Sequence, residues 1–189
     1  MTLPEKVSAV TNVFEQLDAH IATFQSQTTL HCKFGCGKCC FKPDIEASVL
    51  EFLPFAFFLY QNKQAEQWLE QLESKTDSVC LILNPTQAGA GLCSAYMHRG
   101  LICRLFGYSA RTNKYGKKEL VTCQIIKTEQ AQAYQSTTQK IEELNVPVMN
   151  QVYMQLHAID FELAQKFYPI NQAIQHAIET VLHYFAYRD

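Results

Sequence analysis

The chain has 189 residues, 48% of them hydrophobic and 18% charged, a composition that suits a single domain with a sizeable core and excludes a disordered or fibrous chain. Its formal net charge of -2 supplies no field that would draw in nucleic acid or anionic lipid. Eight cysteines are the compositional anomaly.

The opening residues Met1 to Lys6 lack a basic segment followed by an apolar run, and Glu15, Asp18 and His20 then interrupt the apolar positions. No secretory signal is expected, and the protein is expected in the cytoplasm. The most apolar stretch, Ala47 to Tyr60, contains Glu51 and Pro54 and falls short of the ~20 residues a membrane span requires, so it reads as a core helix. Thiols stay reduced in the cytoplasm, which favours metal ligation over disulfides.

From Thr2 to about Gln27, Val7, Val10, Phe14, Leu17, Ile21 and Phe24 recur at three- and four-residue steps, one stripe of an amphipathic helix with Thr2 and Glu5 as a capping box. Thr28 to Lys42 carries Gly35 and Gly37 among four cysteines and reads as a tight loop. Asp44 is the expected cap of a second helix running to about Asn62, with Pro54 kinking or splitting it. A third helix is expected over Gln64 to Glu73, with Ala65, Trp68, Leu69 and Leu72 on one face.

Val79 to Leu83 is short and apolar. The turn-rich link from Asn84 through Gly89 and Gly91 leads to Leu92–Tyr96, the pattern of a small hairpin. Thr112 to Lys118 is a polar, basic loop, and Glu119 to Ile126 reads as a strand. Residues 128–187 carry three helical patterns: Ala131, Tyr134, Thr138, Ile141 and Leu144; then Val148, Val152, Leu156, Ile159 and Leu163; then Ile174, Ile178, Val181 and Phe185. The fold class expected is mainly α, a bundle-like single domain over 1–189 around an irregular cysteine-rich centre.

Cys32, Cys36, Cys39 and Cys40 form C-x3-C-x2-C-C. Thiolates spaced this way in a glycine-bearing loop converge on one metal centre without long-range folding. Adjacent Cys39 and Cys40 are expected to point in different directions, leaving one for a second metal or as a resolving thiol. The loop needs a further ligand, and Cys80-x12-Cys93-x9-Cys103 supplies candidates, Cys93 and Cys103 foremost, with Cys123 a later one. C-x3-C-x2-C is also the cluster loop of radical S-adenosylmethionine enzymes, but those place an aromatic residue before the last cysteine and follow a strand. Here Lys38 and a long helix stand instead.

As a set these residues resemble the CxxCxxCC (YkgJ-type) cysteine-cluster family of zinc- or iron-chelating proteins. The resemblance rests on two blocks. One is Cys32 to Cys40; the other runs from Cys80-Leu81-Ile82-Leu83 through Cys93-Ser94-Ala95-Tyr96 to Arg99-Gly100-Leu101-Ile102-Cys103-Arg104-Leu105-Phe106, with Cys123 trailing. Gly100 stands where the family has proline, and Ala95 where it has an aliphatic residue. The resemblance implies that all eight cysteines, Cys80 and Cys123 included, associate with metal. The same cluster accompanies a methylase of flagellin lysines, but no methyltransferase motif is visible here.

Arg104, with Arg99 before it, is a candidate to donate hydrogen bonds to thiolates or to a bound cluster and to offset negative charge. His31 and His98 could replace a thiolate, although thiols are plentiful. Lys114, Lys117, Lys118, Arg111 and Tyr115 read as a solvated loop rather than a phosphate site, and Phe52, Phe55, Phe57, Phe58 and Tyr60 as core. The cofactor expected is an iron-sulfur cluster, ahead of zinc, in a redox or iron-sulfur accessory role. The alternative is a structural zinc module presenting a surface to a protein partner, and a protein-modifying enzyme ranks behind both. Neither nucleic acid nor membrane is an expected partner.

Overall fold

The structure is a computed structural model in which residues 1–87 and 90–187 are described. Among them the chain is mainly helical, as its periodicities predict, with nine α-helices and three small two-stranded antiparallel sheets where one hairpin was expected. The chain divides into two compact units. The first comprises Met1–Thr11, Gly35–Gly100 and the described residues from Leu156 onward; the second comprises Asn12–Phe34 and Leu101–Gln155.

Helix α1, Leu3–Thr28, carries its predicted stripe inward: Val7, Val10, Phe14, Leu17, Ile21 and Phe24 are all buried. Its start is held reciprocally, the Thr2 amide donating to the Glu5 carboxylate at 2.7 Å and the Glu5 amide to the Thr2 hydroxyl at 3.4 Å.

The first unit is built around α2, Val49–Gln61, packed against α9, Ile170–Ala186. On α2, Leu50, Phe52, Leu53, Phe55, Ala56 and Leu59 are buried. On α9, Ala173, Ile174, Ala177, Ile178 and Val181 recur at helical spacing and are fully enclosed. Each large side chain removed from water in this way contributes about 1.5–3 kcal/mol. Tyr60 stacks on Phe185 with ring centroids 4.4 Å apart, and Trp68 of α3, Ala65–Ser74, meets Phe55 edge-on at 5.2 Å.

The expected cap at Asp44 is corrected. A strand, β1 (Glu46–Ser48), precedes the helix, and Ser48 caps α2. The buried Glu51 carboxylate accepts both the Ser48 amide, at 2.8 Å, and its hydroxyl, at 3.1 Å. Pro54 neither splits nor ends α2.

Strand β2, Leu83–Gln87, pairs with β3, Ala90–Cys93, so the predicted hairpin exists with both strands shifted into the expected link, the first starting later and the second earlier than the pattern suggests. Ala88 and Gly89 of the turn-rich link lie outside the described residues. A 3-10 turn at Tyr96–His98 follows.

Gly100 lies against Phe52: a Cβ there would sit 2.8 Å from the ring. The Phe52 ring therefore occupies the space that a side chain at this position would need.

The second unit holds α4 (Leu101–Leu105), a hairpin of β4 (Ser109–Thr112) and β5 (Lys118–Val121), α5 (Gln124–Glu129), α6 (Ala131–Gln139) and the start of α7 (Met149–Ile159). Its core joins Phe24, Leu30, Ala110, Ile126, Ile141 and Val146. The strand expected over Glu119 to Ile126 is corrected: it ends at Val121, where Cys123 opens α5. The helix expected to reach Leu144 ends at Gln139, yet Ile141 is still buried, its periodicity arising from turns packed on the core.

The single helix expected over Val148 to Leu163 is also corrected. It breaks at Asp160, whose side chain accepts the Leu163 amide at 3.0 Å and caps a separate α8, Phe161–Gln165. After α8, β6 (Phe167–Pro169) pairs with β1, placing Glu46 opposite Pro169 and Ser48 opposite Phe167 in the first unit.

Candidate metal centre

In the first unit the cysteine loop is shaped by two glycines in the left-handed region, Gly35 (φ 69°) and Gly37 (φ 56°). Gly37 makes the closest approach to the hairpin: a Cβ there would lie 2.6 Å from the Gly91 carbonyl oxygen. The Gly91 amide donates to the Gly35 carbonyl at 3.1 Å, fastening the loop to β3. Two overlapping turns follow, with the Cys40 amide donating to Gly37 O (2.8 Å) and the Lys42 amide to Cys39 O (3.3 Å).

These turns correct one expectation. Adjacent Cys39 and Cys40 do not point apart, because the curled backbone brings their Sγ atoms to 4.0 Å. Thiolates about 2.3 Å from a tetrahedral zinc are separated by about 3.8 Å, so the pair is spaced to share one ion.

Cys80 is buried beside this loop, its amide donating to Cys40 O at 3.3 Å. Asn171, from the first turn of α9, clamps the surrounding backbone: its Oδ1 accepts the Leu81 amide and its Nδ2 donates to Val79 O, each at 2.9 Å. Nothing local in the sequence marks Asn171 for this task. Cys93 ends β3, and the next residue, Ser94, donates through both its amide (2.9 Å) and hydroxyl (2.8 Å) to Ile82 O. Cys36, half-buried, lies between the two glycines.

The electrostatics join these thiols. Cys39 is lowered to about 6, chiefly by its hydrogen bond with Cys40 and, in smaller part, by the positive charge of Arg99. Cys80 is raised to about 11 by burial, opposed by the Ile82 amide and reinforced by the charge of Cys93. Cys93 is pushed up by burial, with the Ala95 amide and Arg99 pulling it down and Cys39 pushing it up. Arg99, which lies over the Tyr96 ring at 4.0 Å, is thus the arginine whose charge bears on the thiols of this unit.

The second unit holds the other three cysteines. Cys32 is exposed, with the preceding backbone clamped by Gln130, which accepts the His31 amide (3.1 Å) and donates to its carbonyl (2.7 Å). Cys103 lies half-buried within α4. Cys123 caps α5, its Sγ accepting the Ile126 amide at 3.4 Å, and packs against the core of the unit.

Arg104 is 5% exposed, is paired with Asp18 and lies over the Phe14 ring at 4.6 Å. These partners belong to α1, and the local pattern around Cys103 gave no sign of them. His31 Nδ1 lies 3.1 Å from Thr29 O, while His98 stacks on Phe58 with centroids 4.3 Å apart. The basic loop is a hairpin turn in which Arg111 pairs with Glu119 at 3.0 Å and Lys114 lies over Tyr115 at 4.9 Å.

No cysteine is in a disulfide, and among the described residues no three His, Cys, Asp or Glu side chains already form a metal-holding cluster. The donor set nonetheless fits a soft or borderline metal. In the first unit five thiols lie on the loop, on the segment before β2 and at the end of β3, Cys39 is acidified, and the glycine contact lets the backbones approach closely. Among the described residues no helix is long and apolar enough to cross a membrane.

The model of the CxxCxxCC family, described as "putative zinc- or iron-chelating domain", matches residues 31–124. No curated protein and no solved structure matches the chain. The matched stretch contains all eight cysteines together with Arg99 and Arg104, and it is over residues 31–124 that the chain is similar to the CxxCxxCC family.

Proposed function

We propose that the protein holds an iron-sulfur cluster, or zinc, through the thiols around the β2–β3 hairpin, and that this centre serves a redox or iron-sulfur accessory role. The first candidates as ligands are Cys36, Cys39, Cys40, Cys80 and Cys93. Cys32, Cys103 and Cys123 are the remaining thiols of the family pattern, and Arg104 and Arg99 are the candidate cationic groups.

The observation that carries the reading is the fastening of the Gly35–Lys42 loop onto the hairpin, with Cys39, Cys80 and Cys93 electrostatically coupled. Arg99 offsets part of the negative charge that several thiolates accumulate, and the Gly35 and Cys40 contacts orient the loop before any metal arrives. An iron-sulfur cluster supplies one-electron transfer when bound.

The zinc reading, a structural module displayed to a protein partner, is favoured by one specific observation. The 4.0 Å Cys39–Cys40 separation suits the edge of a zinc tetrahedron.

The test is elemental and sulfide analysis with an absorption spectrum on protein purified without oxygen. Stoichiometric iron and sulfide with a brown colour establish the cluster. Colourless protein with zinc, unfolding with a chelator, establishes the structural module. Neither metal at stoichiometric level discards both.

A further inference from the structure

We propose that Cys39 and Cys40 are an oxidative modification site, a vicinal dithiol that a peroxide converts to a disulfide so that the centre releases its metal. The release rests on the metal-binding reading above; the oxidation does not. Cys39 is exposed, so a small oxidant reaches its sulfur, whereas Cys80 is buried. The Cys40 sulfur is 4.0 Å away, and closing to a disulfide of about 2.0 Å is a local change within these two adjacent residues.

The backbone holds the pair together: Cys40 N donates to Gly37 O, Lys42 N to Cys39 O, and Cys40 O accepts the Cys80 amide. These bonds fix the backbone of both residues, so the two side chains start from neighbouring, curled positions.

The chemistry balances with peroxide as the only co-reactant. The Cys39 thiolate attacks one peroxide oxygen, the O–O bond breaks, and hydroxide leaves as the sulfenic acid forms. Cys40 then attacks the Cys39 sulfur, the S–O bond breaks, and the hydroxyl departs as water with the Cys40 proton. Two thiols and one hydrogen peroxide thus give one disulfide and two waters, with each sulfur oxidised and each oxygen reduced.

The product is reversible by design of the chain. Adjacent Cα atoms are about 3.8 Å apart, below the roughly 4.4–6.8 Å spanned by ordinary disulfides, and a strained disulfide is readily reduced. Oxidation removes two thiolates from the donor set at once, and reduction restores them.

The full chain purified without oxygen is treated with substoichiometric hydrogen peroxide, its remaining thiols are alkylated, and it is digested with trypsin. Cleavage after Lys38, with none at the Lys42-Pro43 bond, isolates a fragment ending at Lys63 whose only cysteines are 39 and 40. The expected result is that this fragment is the first to resist alkylation and is lighter than its dithiol form by two hydrogens. Metal should appear on a chromogenic chelator in step and return to the protein after dithiothreitol.

The C40S variant should instead accumulate a dimedone-reactive sulfenic acid at Cys39. A first bridge between other cysteines, or Cys39 passing to sulfinic acid with Cys40 present, overturns the proposal, and both are read on the unmutated chain even if C40S misfolds. Protein that forms the bridge but carries no metal as purified, and takes up none when iron or zinc is supplied, would sink the metal reading alone. Metal-bound protein that bridges elsewhere would sink the oxidation site alone.

Discussion

Replacing Gly37 by alanine tests the docking of the loop on the hairpin. Gly37 and Gly35 both have positive φ, so an alanine at either carries the left-handed cost of about 1–2 kcal/mol. They differ in what the added methyl meets. At Gly35 nothing lies within 4 Å, whereas at Gly37 the methyl falls 2.6 Å from Gly91 O and 2.9 Å from Gly91 N. That obstacle is backbone and cannot rotate aside. The cheapest relief is to lift the loop, sacrificing the Gly91–Gly35 hydrogen bond, about 1 kcal/mol, and the contacts beneath it.

G37A should therefore weaken metal binding by about 2 kcal/mol more than G35A, roughly thirty-fold, because the lifted loop must be pressed back before its thiols act with Cys80 and Cys93. The assay is zinc competition against a chromophoric chelator, with urea unfolding of the metal-free proteins to separate loop docking from global stability. Equal affinities for the two variants would refute the reasoning.

Three further outcomes are expected. In metal-free protein, alkylation of Cys39 should rise through about pH 6 and level off above it, since the Cys40 hydrogen bond and Arg99 favour the thiolate; R99Q should move the rise to higher pH, and an ordinary thiol profile for Cys39 would contradict the geometry. D18N should lower unfolding free energy by about 1–2 kcal/mol, discounted from a fully buried pair because Asp18 is partly exposed, as measured by urea denaturation. Burial alone would raise the Asp160 carboxyl, but Lys6 and the Leu163 amide hold it below its ordinary value. Its contribution is therefore present above the unfolded value of about 3.9 and lost as pH falls through the folded one, so the deficit of D160N at neutral pH should vanish in acid.

Much of this was legible in the residues. The α1 stripe and its cap could be read because both depend on neighbours three and four positions away, and the cysteine spacing because a loop ligand set is local. What escaped depends on distant partners. The β1–β6 pairing joins residues with no shared local signal, Ser48 caps α2 in place of Asp44 through a carboxylate buried by tertiary packing, and the polar Asp160 interrupts an otherwise continuous apolar period. Within the candidate centre the cysteines were legible as candidate ligands, but their grouping was not. Spacing puts Cys93 and Cys103 on equal terms, whereas the fold assigns Cys93 to the unit of Cys36–Cys40 and Cys103 to the other. Asn171 and the Gly37–Gly91 contact carry no motif at all.

The packing of α2 against α9 bears on how this protein is made and cut. Both helices belong to one unit, yet the stretch that matches the family carries α2 and stops well before α9. A fragment trimmed to 31–124 would bare the greasy side of α2 and lose the Asn171 clamp behind Cys80, so it should aggregate rather than serve as a portable metal module. On the ribosome the same order holds: the thiols emerge before the helix that roofs their scaffold.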